Sequence, residues 1–184
     1  MRSISICLGL IVLLVTVICC ISCEGEEESQ IPAEDCFGIY LTAADLSIDW
    51  LTAEGVSIDR LGMLPYMELA DEPLISSSDI YSYSRETHEI ELTTSAADRI
   101  RQINLSGKAF VVCVDHQPVY SGAFMSAYFS RTFNGVVIMW PLMNNNGRTI
   151  GIELGYPGRE FFMGEDPRSD PKILGCLDQH NKLD

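Results

Sequence analysis

Apolar and polar positions along this chain follow several distinct rhythms. The first is a largely apolar run from Ile4 to Ile21, broken toward its end by Cys19, Cys20, Ser22 and Cys23 and preceded by a single Arg2. Phe37 to Leu41 then reads as a short strand, while Asp45 to Trp50 fits neither period. Leu61 to Leu69 alternates loosely and predicts a strand broken at Pro65, and Asp71-Glu72-Pro73 ends it. From Ile80 the alternation is clear. Ile80 to Ser84 and His88 to Thr93 predict a hairpin around Arg85-Glu86-Thr87, with Ile90 and Leu92 sharing one face. Ala96, Ala97, Ile100 and Ile103 recur at helical spacing, Ser95 with Asp98 fits a capping box, and Ser106-Gly107 stops the helix.

Ala109 to Val114 is continuously apolar and β-branched, as in a strand buried on both faces. Asp115 to Pro118 makes a turn, and Val119 to Phe124 returns as the partner strand. Val136 to Trp140 and Thr149 to Leu154 predict two more strands, the Asn144 to Gly147 turn lying between them. Gly155 to Arg168 is a loop. Asp170 then caps a last helix with Pro171 at its favoured first position and Ile173, Leu174 and Leu177 as its apolar stripe. Packing so few helical stripes on a few strands predicts an α+β fold: a small mixed or antiparallel sheet with helices on one face, of ferredoxin-like kind.

The chain begins as an export signal: a positive start, a long apolar core, then small residues. Ser22-Cys23 offers the small residue and cysteine that lipoprotein processing needs, so residues 1–22 read as a signal peptide and Cys23 as the lipidation site. Cys20, three positions before Cys23, is a poor match to that signal, and an uncleaved anchor or simple secretion are the alternatives. One Arg before the run and acid after it put the C-terminal side outside, at the outer face of the cell membrane. Residues 23–35, rich in Glu, read as an acidic tether. Residues 36–71 hold the N-terminal strands, 72–140 the central strands and helix, and 141–184 the last strand, loop and helix.

Charge narrows the partners. With 12 Lys+Arg against 26 Asp+Glu, a net of −14, the chain is no nucleic-acid binder. Cys113 reads as buried and inert, and Cys36 and Cys176 stand near the two ends of the domain, their pairing left open by the sequence. No cysteine or histidine spacing suggests zinc, and nothing implies a cofactor. Asp115-His116 invites an acid–base reading, but adjacent turn residues point apart and Asp there bonds its own backbone. No Ser lies in Gly-x-Ser-x-Gly. Asp166 to Pro171 reads as a rigid lead into the last helix, with Arg168 paired to Asp166 or Asp170 rather than a calcium loop. Tyr120, Phe124, Tyr128 and Phe129 crowd one stretch and are the candidate binding residues if they face outward.

Glu72-Pro73-Leu74-Ile75-Ser76, Asp79-Ile80, Leu92-Thr93 and the stretch Gly107 to Ser121 together resemble the extracytoplasmic head subdomain of SecD, a subunit of the protein-export translocase. The resemblance covers about Glu72 to Ile138. It implies a module that contacts emerging or unfolded polypeptide and carries no catalytic residues. The proton-conducting membrane part of that subunit has no counterpart in these motifs. The expectation is therefore a non-enzymatic, membrane-anchored extracytoplasmic binding or assembly module linked to protein export. The alternative is an envelope hydrolase using a Ser or an Asp/His pair.

Overall fold

The structure, a computed structural model, describes residues 36–43, 68–141 and 147–184. The apolar run Ile4 to Ile21, Cys23, the acidic tether, Asp45 to Trp50 and most of Leu61 to Leu69 lie outside the described residues. Among those described, no helix is long and apolar enough to cross a membrane.

Asp35 to Asp184 form one compact unit built on a sheet. Its strands are β1 (Phe37–Leu41), β2 (Ile75–Ser76), β3 (Ile80–Tyr83), β4 (Glu89–Leu92), β5 (Ala109–Val114), β6 (Gln117–Met125), β7 (Phe133–Met139) and β8 (Thr149–Tyr156). They lie in the order β2-β1-β5-β6-β7-β8-β4-β3. Every neighbouring pair is antiparallel except β6 with β7. The helices are α1 (Thr94–Ile100) and α2 (Pro171–Gln179).

This corrects the expected fold class. A small ferredoxin-like sheet with helices on one face does not form; a single curled, mixed, eight-stranded sheet does. The physical reason is a shortage of helix. Seven residues in α1 and nine in α2 are too few to cover the face of a broad sheet. The sheet instead wraps around its own apolar face. Its two edges, β2 and β3, are joined by a single 3-10 turn at Ser77–Asp79. Ser76 and Ile80 are four residues apart, so the edges stand within about 15 Å there, and only strong curling allows that.

Asp79 ties the joint. Its carboxylate accepts Ser76 N–H at 3.0 Å and the Arg99 guanidinium at 2.7 and 3.1 Å, while Arg99 also reaches the Leu74 carbonyl at 3.1 Å. Thus α1 is fastened across the gap. The other flank of β3 is covered by the chain end, where Tyr83 N–H donates to Lys182 O and Asp184 N–H to Tyr83 O.

The main core fills the enclosed side. Phe37 and Ile39, Phe110, Val112 and Val114, Val136 and Ile138, and Ile150, Ile152 and Leu154 contribute alternate positions, and Ala97, Ile100, Ile173 and Leu177 close it from the helices. The intervening residues of β5 belong to smaller clusters on the opposite side: Ala109 with Ala123, Met125 and Phe133, and Val111 and Cys113 with Tyr40. Burial on both faces explains why β5 lacks polar alternation.

Several local details differ from the pattern-based reading. The α1 cap is Thr93, whose hydroxyl accepts Ala96 N–H, rather than Ser95. Asp98 instead pairs with Arg101 at 2.7 Å. The β5–β6 loop is only Asp115-His116, both at positive φ (49° and 59°), as in a type I′ turn. Pro118 sits opposite Cys113 at a register shift, where its missing N–H breaks no regular ladder. Cys36 and Cys176 form a disulfide with their Cα atoms 6.0 Å apart, stapling α2 to the start of β1. The Trp140–Pro141 and Tyr156–Pro157 peptides are cis.

Candidate functional site

A deep cleft arises beside the one parallel pairing. The β6–β7 ladder runs only over Gly122 to Met125 against Val136 to Met139. There the strands approach closely: a Cβ on Gly122 would stand 2.5 Å from Val136 O and 2.3 Å from the Phe110 ring. Before Gly122 the strands part, and the gap opens a cleft of about 640 Å³. Val119, Tyr120, Ser121 and Val136 form its floor, and the segment from Phe162 to Pro171 forms its wall.

That wall is rigidly held. Gly155 turns the chain at φ 73°, and Gly158 O and Phe162 N lie so near that a Cβ there would stand 2.6 Å from each. A 3-10 turn over Arg159–Phe161 follows, and Met163 N–H donates to Asn134 O. Arg168 is the anchor. Its Nε and Nη2 donate to the two Asp166 oxygens at 2.9 and 2.7 Å, and its Nη1 donates to Ile152 O at 2.7 Å. The Arg168 carbonyl accepts the Tyr83 hydroxyl at 3.2 Å, and that hydroxyl also lies 2.9 Å from His88 Nδ1. Asp170 then caps α2 by accepting Lys172 N–H at 2.8 Å.

The electrostatics follow from this network. The hydrogen bond from Arg168 holds the Asp166 carboxyl below its usual range. Burial, and then the charge of Arg168, push the His88 imidazole below its ordinary value of 6.5. Burial raises the Tyr83 phenol to about 12 and raises that of Tyr120 as well. The centre is thus buried His88, Tyr83 and Arg168, with Arg168 paired to a partly exposed Asp166, while Glu165 and Asp170 leave the rim acidic. Met163 and Glu165 are exposed beside it.

The four candidate binding residues do not gather into one patch. Tyr120 is buried and lines the cleft floor. Phe124 lies in the core, its ring 5.1 Å from that of Phe110. Phe129 is half-buried and packs over Gly107. Tyr128 alone is fully out, 93% exposed, at a separate groove of about 320 Å³ with Trp140 and Ile150.

The groups weighed for hydrolysis are also scattered. His116 Nδ1 lies 3.2 Å from Tyr40 Oη, Asp115 borders a third groove beside the disulfide, and Ser121 is in the cleft. Arg168 pairs with Asp166, one of the two partners weighed for it. Two features had no sequence signal. Nothing in the polar turn Arg85 to Thr87 announces that His88 is buried against Tyr83. Nothing in the C-terminal tail announces that His180 Nδ1 lies 3.3 Å from Cys36 Sγ.

Compared with known proteins, the chain matches no family model, no curated protein and no solved structure.

Proposed function

We infer that this protein is an extracytoplasmic binding module, held at the outer face of a membrane through lipidated Cys23, and that its cleft takes a polypeptide segment carrying both apolar and cationic side chains. The observation that carries this reading is the cleft's composition. Val119, Val136, Phe162 and Met163 line it with apolar groups, while Glu165 and Asp170 supply negative charge that no ion pair among the described residues neutralises. A ligand with one apolar and one basic side chain satisfies both, and a net charge of −14 steers such a partner inward. The Cys36–Cys176 disulfide supports an oxidising compartment. The sequence resemblance to the SecD head makes translocase subunits and exported chains the first partners to seek.

The test is equilibrium binding of fluorescent peptides to the full-length protein in detergent. Peptides pairing Lys or Arg with Leu or Phe are expected to bind, to weaken with added salt, and to weaken on Glu165→Lys. Equal binding of acidic and basic peptides, or none of either, overturns the reading. Anchoring is tested separately: Cys23→Ala is expected to abolish incorporation of radiolabelled fatty acid and to leave residues 1–22 uncleaved, and unchanged labelling overturns lipidation at Cys23.

A further inference from the structure

We propose that Cys36, Cys176 and His180 form a redox-gated site for a thiophilic metal ion such as zinc: a disulfide when oxidised, a metal centre when reduced. Among the described residues this is the one group of cysteine, histidine and carboxylate side chains whose ligand atoms all lie within 4.8 Å of one another. Tetrahedral zinc holds sulfur at about 2.3 Å and imidazole nitrogen at about 2.0 Å, which spaces ligand atoms roughly 3.5–3.8 Å apart. His180 Nδ1 is already 3.3 Å from Cys36 Sγ. The two bonded sulfurs must separate, and Cys36 is half-buried, with a groove of about 410 Å³ beside it.

The backbone that presents these ligands does not depend on the disulfide. Cys36 O accepts Asp115 N–H at 2.7 Å, and Phe37 to Leu41 pair along β5. Cys176 and His180 are four residues apart, so they share one face at the end of α2, which Ile173 and Leu177 fasten into the core. Reduction therefore frees two thiols without dispersing the three side chains.

The chemistry balances. A dithiol reductant gives two electrons and two protons to the Cys36–Cys176 bond and becomes a disulfide itself. Zinc then displaces both thiol protons to solvent and takes a lone pair from the imidazole. In the disulfide form His180 Nδ1 lies 2.9 Å from Cys176 O, where an N–H donates to the carbonyl. Binding through Nδ1 therefore shifts the ring proton to Nε2. The groove beside Cys36 leaves room for water as a further ligand.

The test uses the full-length protein, reduced under nitrogen and titrated with Co²⁺ and then Zn²⁺. Reduced wild type is expected to bind one Co²⁺ with thiolate charge-transfer absorption that Zn²⁺ bleaches, whereas the oxidised protein does not. His180→Ala is expected to weaken binding by at least about 10- to 100-fold, as losing support around a metal does. A Cys36→Ser/Cys176→Ser variant retains every other cysteine as a control. Equal affinity in that variant and reduced wild type, or in His180→Ala and wild type, overturns the proposal. Melting temperature gives an independent readout: zinc raises that of reduced wild type but not of the double variant, and no rise in wild type also overturns it.

Discussion

At the scale of single residues, the clearest constraint is the close approach of strands at Gly122. A methyl group there would collide with both the Phe110 ring and the Val136 carbonyl. Gly122→Ala is expected to cost about 1–3 kcal/mol, through overpacking. Gly175 is its counterpoint: it lies exposed within α2, and a methyl group added there would meet nothing within 4 Å. Gly175→Ala is expected to stabilise by about 0.5–1 kcal/mol, because alanine loses less backbone entropy in a helix. Urea unfolding of both variants checks the pair. His88 makes a pH prediction. Its native value is lowered, so the unfolded chain takes up the proton first, and stability is lost as pH falls below about 6.5. Asp79 and Asp166 both titrate below the usual carboxylate value of 3.8 when folded, so their contributions fade only in stronger acid. For Asp79, burial opposes the shift, but the Arg99 and Ser76 hydrogen bonds and the Arg99 charge outweigh it. His88→Asn tolerates the positive φ of 56° and is expected to flatten the decline between pH 7 and 5 in urea midpoints.

At the scale of elements, the Cys36–Cys176 staple closes a loop with a sequence separation of 140. Cross-linking over so long a loop removes considerable entropy from the unfolded chain, and Cys36→Ala/Cys176→Ala is expected to lose about 2–5 kcal/mol. For a unit of this size that is a fall of about 10 °C in melting temperature, read by thermal scans without metal. The elements also differ in how visible they were in the sequence. The apolar run of β5, the β3–β4 hairpin and the Asp170-Pro171 start of α2 carry local signals and formed as read. The β6–β7 pairing carried none. Parallel neighbours usually need a crossover of a dozen or more residues, yet Ser126 to Thr132 makes this one in seven. Periodicity reports which face of a strand is buried, not which strand lies beside it.

At the scale of the whole molecule, the same limit explains the corrected fold class. Packing a few helical stripes on a few strands gave a small sheet under helices, because the pattern did not say where β1 and β8 would pair. In space β8 lies between β7 and β4, and β1 between β2 and β5, which is what extends the sheet to eight strands and obliges it to curl. The cleft is a product of this long-range assembly. Val119 to Ser121 and the Phe162 to Pro171 wall are some forty residues apart, and only the parting of β6 from β7 joins them. Tyr120 was legible as a candidate because it is aromatic; Met163 and Glu165 lay in a loop with no periodic signal.

The most direct test of the binding account is photo-crosslinking in intact membranes, with a photoreactive residue in place of Met163 and, as a control, in place of exposed Tyr81 on β3. The account predicts a discrete polypeptide adduct from position 163, diminished by Glu165→Lys, and none of that species from position 81. Adducts equal at both positions, or absent at 163, would contradict it.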